Sequence, residues 1–112
     1  MSDGRLPAHL EVAALIRATE AAGGFATVLQ KGERDSGVVL LVTLERGRSE
    51  RLWERMPRLD GQRLFEVVRT ASPEDGGDFD AYLARRAERD RDIWVVELDV
   101  PNPERLIADL AR

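Results

Sequence analysis

The 112-residue sequence contains no cysteine, and its single histidine is His9. Without cysteine there are no disulfides, thiolate metal sites or cysteine nucleophiles, which fits a reducing compartment. One histidine cannot supply the three or four ligands of a zinc site. The longest apolar run, residues 38–42, is far shorter than the roughly 20 residues of a membrane helix. Because the N-terminus also lacks a signal-peptide pattern, we expect a cytoplasmic protein with no membrane contact.

Motifs for catalysis and for cofactor binding are also missing. Neither of the glycine-rich phosphate-binding patterns, GxxxxGK[ST] and GxGxxG, occurs in the sequence. No serine or acidic residue stands at a spacing that would make His9 a general base. The acidic stretch EDGGDFD lacks the alternating oxygen ligands of a calcium loop. The sequence therefore predicts no catalytic residues, no metal site and no cofactor.

Composition predicts one folded unit. Hydrophobic residues make up 43% of the chain, which is too many for a disordered protein. At this length we expect a single α+β domain over residues 1–112. The net charge of −4 disfavours general affinity for nucleic acid. Residues 46–70, here called the basic segment, carry seven basic and four acidic residues, whereas residues 71–112 carry six and eleven.

Hydrophobic periodicity predicts the element order α-β-β-β-β-α-β-α. The predicted helices are PAHLEVAALIRATEAAGG, FDAYLARRAERD and NPERLIADLAR, and the predicted strands are FATVLQK, VVLLVTLE, RSERLWERM, RLFEVVR and DIWVVELD. Short turns join the first four strands, so we expect a mainly antiparallel sheet that begins with a four-stranded meander. The fifth strand is expected beside the fourth and parallel to it, with the helices packed on the sheet.

Several residues have specific structural expectations. Asp78 is the expected N-cap of the second helix, because its carboxylate can accept from free backbone N–H groups. The charged run at residues 85–92 predicts a solvated helix face with Arg86 paired to Asp90. We expect the following residues to be almost fully buried: Leu15, Val39, Leu41, Trp94 and Val95.

The candidate interaction surface is Arg51, Trp53 and Arg55. On a strand these residues share one face, because side chains alternate with a period of two. The mixed polarity of the segment predicts an edge strand, on which a tryptophan between guanidinium groups could anchor a partner. The alternative interpretation is that Trp53 packs beneath the first or last helix while the two arginines reach outward.

Two stretches carry a resemblance to a known family: AAGGFATVLQKGERDSGVVLLVTLERG and FDAYLARRAERDRDIWVVELD. They resemble a family of small uncharacterised bacterial proteins, domain of unknown function 1491. The similarity covers about half of the chain, and residues 46–76 match only loosely. The resemblance implies a cytoplasmic bacterial setting and assigns no activity.

Three functional hypotheses follow. The first is a non-enzymatic protein-interaction domain that self-associates as a homodimer or binds another protein. The second is a weak RNA or nucleotide binder that uses the basic segment. The third is an enzyme built on scattered carboxylates, although no pairing of carboxylates in the sequence supports it. Salt separates the first two, because phosphate binding weakens steeply as the salt concentration rises.

Overall fold

The computed structural model of the chain describes residues 6–57, 59–61 and 63–110. These residues form helices and strands in the predicted order. They are α1 (Ala8–Ala21), β1 (Phe25–Gln30), β2 (Val39–Glu45), β3 (Arg48–Pro57), β4 (Arg63–Thr70), α2 (Asp78–Arg89), β5 (Trp94–Asp99) and α3 (Pro103–Leu110). The α+β fold class and the element order are therefore confirmed.

The five strands form one mixed sheet in the order β1-β5-β2-β3-β4. Every pair is antiparallel except β2 with β5, which run parallel with Leu41 beside Val96. The predicted meander is wrong for β1, because β5 lies between β1 and β2. The predicted neighbour of β5 is also wrong, since its parallel partner is β2 and not β4.

The apolar character of β2 and β5 explains their interior positions. Six consecutive residues of β2, residues 39–44, are buried, and so are four of the six residues of β5. A strand that is apolar on both faces buries most apolar surface where other strands flank it and helices cover it. Each fully buried valine or leucine contributes about 1.5–3 kcal/mol to the stability of the fold. The burial of β2 and β5 therefore outweighs the lower entropic cost of a short β1–β2 hairpin.

The sheet carries a separate hydrophobic core on each face. The face covered by α1 and α3, here called the α1/α3 face, has the buried residues Ala8, Val12, Leu15, Val39, Leu41, Trp53, Trp94, Val96, Leu98, Val100 and Ile107. The face covered by α2, here called the α2 face, has Leu40, Val42, Leu52, Phe79, Ile93 and Val95. Full burial is confirmed for all of the predicted core residues: Leu15, Val39, Leu41, Trp94 and Val95.

Helix α2 differs from expectation at its start and along its charged face. The N-cap is Gly77, with a φ of 92°, and Asp78 is the first helical residue with no side-chain capping hydrogen bond. Arg86 pairs with Glu54 of β3, at 2.6 Å from Nη1 to Oε2, and not with Asp90. A carboxylate across the packed interface thus replaces the predicted partner within the helix.

The segment KGERDSG is a structured crossing and not the turn of a hairpin. The backbone N–H of Glu33 donates to Asp92 O at 2.9 Å, and the Trp94 indole N–H donates to Glu33 O at 2.7 Å. A Cβ atom on Gly32 would lie 2.2 Å from Asp92 O, so any residue other than glycine would clash with this carbonyl oxygen. The crossing also meets α1, because the Ala8 N–H donates to Asp35 O at 2.9 Å.

Candidate functional site

Arg51, Trp53 and Arg55 do share one face of β3, as predicted, but that face is covered. Trp53 is only 7% exposed and belongs to the core beneath α1 and α3. Its indole N–H donates to Thr43 Oγ1 at 2.8 Å, so the buried polar atom is satisfied within the sheet. The edge-strand prediction is wrong, because β3 lies between β2 and β4. The alternative interpretation, with Trp53 in the core, describes its position.

The two arginines beside Trp53 are ion-paired with the covering helices. Arg51 pairs with Glu104 of α3, and Arg55 pairs with Glu11 of α1. Their side chains are about one-fifth exposed, at 21% and 19%. The Arg51 guanidinium lies 5.5 Å from the Trp53 ring centroid, within the range of a cation–π contact. These pairs tie β3 to two helices, so part of the positive charge of the basic segment is neutralised inside the molecule.

The true edges of the sheet are β1 and β4, and they differ in charge. Strand β4 carries Arg63, Glu66 and Arg69, and charged side chains on an edge discourage pairing with another chain. Strand β1, with the sequence FATVLQ, has no charged residue. It exposes three apolar side chains, with exposed fractions of 76% for Phe25, 39% for Val28 and 49% for Leu29. The unguarded edge is therefore β1.

Part of the α2 face beside β1 is also open to solvent. Ala26 packs against the core of the α1/α3 face, so its neighbours Phe25 and Thr27 point to the α2 face. In the β1–β5 pair, Phe25 lies opposite Asp99 and Thr27 lies opposite Glu97. Both β1 residues are exposed.

Carboxylates lie on one side of this open area. Burial raises the pKa of Glu50, and the negative charges of Asp80 and Glu97 raise it further. Asp99 accepts the backbone N–H groups of Arg46 and Gly47, at 2.9 and 3.1 Å, and so holds the β2–β3 turn. The arrangement is an uncovered sheet face with an exposed aromatic ring and an acidic border.

A cleft of about 570 Å³ lies where α1 begins, and Glu11, Asp35, Ser36, Arg55 and Arg63 are among its lining residues. The Ser36 hydroxyl donates to the Glu33 carboxylate at 3.0 Å. Hydrogen bonds from the N–H and hydroxyl groups of Ser36 lower the pKa of Glu33. The lowered pKa makes the Glu33 carboxylate a weaker base toward the Ser36 hydroxyl.

His9 is half-buried at the start of α1, where Nδ1 lies 3.1 Å from the carbonyl oxygen of Arg34. Across residues 6–57, 59–61 and 63–110, no three histidine or acidic side chains are grouped as metal ligands. None of the helices in the same residues is long and apolar enough to cross a bilayer.

Residues 6–108 match the family model described as protein of unknown function DUF1491. The chain belongs to the DUF1491 family. The resemblance is thus confirmed, and the match extends through the basic segment that the quoted stretches left out. No curated protein matches the chain.

Solved structures of similar proteins share the fold, and the two from Caulobacter crescentus CB15 are of a DUF1491 family protein. A crystal structure from Caulobacter crescentus CB15 has a TM-score of 0.72 and 40% identity, covering 83% of this chain and 86% of that one. An NMR structure from the same bacterium has a TM-score of 0.74 and 38% identity, covering 91% and 92%. The solution structure of protein Atu0922 from A. tumefaciens has a TM-score of 0.73 and 32% identity, covering 92% of each chain.

Two features of this DUF1491 chain escaped the sequence analysis, and each had a signal. The unguarded edge could have been found from FATVLQ, because β1 is the one strand of the described sheet without a charged residue. The glycines of the AAGGF and KGERDSG stretches mark close backbone approaches. A Cβ atom on Gly24 would lie 2.4 Å from Asp99 O, and one on Gly37 would lie 2.6 Å from Asp92 O.

Proposed function

We propose that the protein works by association, and that its β1 edge pairs with the β1 edge of a second copy. The observation that carries the proposal is an uncharged edge strand with Phe25 76% exposed. An edge strand leaves a row of backbone N–H and C=O groups free to pair with another chain. Exposed apolar side chains on that strand add the burial that favours such pairing.

Charge supports a second copy as the occupant. In a symmetric dimer the same strand meets itself, so any charge near the axis faces a like charge. An antiparallel pair centred on Thr27 brings no charged strand residues together, because residues 25–30 contain none. The same arrangement on β4, centred on Glu66, would place two carboxylates side by side.

The geometry of β1 predicts a weak dimer. The register of β1 with β5 shifts between Val28 and Gln30, which leaves Leu29 as an extra residue. A bulge bends an edge and shortens the length that can pair regularly. The four regular residues carry two exposed apolar side chains, Phe25 and Val28, and the bulged Leu29 adds a third. This is a small interface, and we expect a Kd on the order of 100 µM.

Sedimentation equilibrium from micromolar to about millimolar protein tests the proposal. Thr27→Lys places a charge on the exposed centre of β1, and it should weaken the dimer by about tenfold or more, because two lysines would meet at the axis. The matched control is Val68→Lys on β4, where an exposed residue also lies on an edge strand. It should leave the dissociation constant within about twofold of wild type.

A wild-type protein that stays monomeric at about millimolar concentration would contradict self-association. If both lysine variants weaken the dimer equally, the interface does not lie at β1. Thermal unfolding of each variant shows whether the fold is retained, since both positions are exposed and neither substitution should change stability by more than about 0.5 kcal/mol.

A further inference from the structure

Helix α2 covers only part of its face of the sheet. Its packing partners lie on β2, β3 and the start of β5: Leu40, Val42, Leu52, Ile93 and Val95. A helix is about 10 Å wide with its side chains, while five strands span about 20 Å. Phe25 and Thr27 on β1 are accordingly exposed on this face, while Glu97 and Asp99 at the end of β5 are half-buried. We call this region, formed by Phe25, Thr27, Glu97 and Asp99, the open α2 face.

The open α2 face has an unneutralised acidic border. Among the residues that the structure describes, Glu50, Glu97 and Asp80 form no ion pair. Glu50 is held close enough to Asp80 and Glu97 for their charges to raise its pKa, in addition to the effect of burial. On the α1/α3 face, by contrast, Glu11 and Glu104 are matched by arginines of β3.

We infer that the open α2 face binds an arginine-bearing segment of a partner protein, with guanidinium groups against Glu50 and Glu97 and over the ring of Phe25. Charge complementarity selects this occupant, since the surface offers carboxylates with which no described cation is paired. An exposed aromatic ring adds a cation–π partner that is worth about twofold to fivefold in affinity. Nucleic acids and anionic membranes would be repelled by the same carboxylates.

This binding goes beyond the proposed self-association and does not depend on it. The dimer proposed above pairs the backbone edge of β1, whereas the arginine-bearing segment lies on the face of the sheet. Phe25 contributes to both, so the Glu50→Gln/Glu97→Gln variant is the one that separates them. Sedimentation reports the first and peptide titration reports the second, so either can fail alone. If both hold, two open α2 faces become neighbours across the paired β1 strands.

The test is fluorescence anisotropy with a labelled peptide of alternating arginine and threonine, against the same peptide with glutamate in place of arginine. The double variant Glu50→Gln/Glu97→Gln should weaken binding of the arginine peptide by about fivefold to tenfold, because two charge contacts are lost. Phe25→Ala should weaken it by about twofold to fivefold.

The matched control is Glu20→Gln/Asp109→Asn, which removes two exposed carboxylates from α1 and α3 and changes the net charge equally. It should alter the dissociation constant by less than about twofold at 0.15 M salt, where charges more than roughly 8 Å apart are screened. Equal weakening by both double variants would show general attraction to an acidic protein and would overturn the inference. So would wild-type protein that binds the arginine peptide no more tightly than the glutamate peptide.

Discussion

The two faces of the sheet differ in whether their carboxylates are paired with arginines. On the α1/α3 face, two helices bring Glu104 and Glu11 to the arginines of β3, so a charged row becomes part of a closed layer. On the α2 face, one helix supplies Arg86 to Glu54, and among the described residues Glu50, Asp80 and Glu97 form no ion pair. A strand with many polar side chains is therefore not necessarily exposed. The number of helices that cover it determines whether its charged side chains form ion pairs.

The largest expected difference in the free energy of unfolding is between replacing a covered aromatic residue and replacing an uncovered one. Trp94→Ala, on the α1/α3 face, should lower the free energy of unfolding by about 3–5 kcal/mol, the range for removing a large buried aromatic side chain. Phe25→Ala, on the open α2 face, should change it by less than about 0.5 kcal/mol. Urea denaturation of both variants measures the contrast. A loss under about 1 kcal/mol for Trp94→Ala would mean that the α1/α3 face is not the main core.

A smaller effect separates the ion pairs on the two faces. Arg86 holds Glu54 through both Nη atoms, at 2.6 and 3.3 Å, and this forked contact raises the arginine pKa. A double-mutant cycle with Arg86→Met and Glu54→Gln should give a coupling free energy of about 1 kcal/mol. The same cycle on Arg55 and Glu11 provides the comparison across the sheet. A coupling of Arg86 with Glu54 near zero would show that packing, and not charge, holds α2.

The smallest effect concerns the acidic border of the open α2 face. Because the folded protein raises the pKa of Glu50, ionising this group disfavours the folded state. The cost of ionising Glu50 is absent well below the ordinary glutamate pKa. It grows as the pH rises through the raised pKa of the folded protein. Glu50→Gln should therefore stabilise the protein at pH 7 by about 0.3 kcal/mol, with no gain near pH 3. Thermal denaturation at the two pH values measures this, and an equal gain at both would exclude the electrostatic cause.

Local pattern was sufficient to predict the elements and the five core residues named above. The alternation in IWVVEL assigns Trp94 and Val96 to one face and Val95 to the other, and the structure has them there. The order of the strands could not be obtained in this way. Short connections favour a meander, whereas the burial of β2 and β5 on both faces favours an interior pair, and only the complete sheet shows which contribution is larger.

The covered position of the candidate surface could not be predicted from the sequence, for a related reason. The segment RSERLWERM has the polarity of an edge, and nothing within it reveals that Glu11 and Glu104 will arrive from elements about 40 and 50 residues away. Ion pairs between distant elements leave no local pattern. The exposed edge, by contrast, has a local signature in the uncharged FATVLQ, since the absence of guarding charges is visible in the strand itself.

The placement of β5 has a consequence for the order of folding. This strand joins β1 to the rest of the sheet, yet it is the last of the five described strands in the sequence, and its partners in β1 lie about 70 residues earlier. Until residues 94–99 leave the ribosome, β1 has no partner and one side of β2 remains open. Helix α1 and the β2–β3–β4 hairpins can form during translation, but the sheet closes only when β5 inserts between β1 and β2. Such long-range closure slows folding, and it leaves the apolar β1 exposed longest in the growing chain.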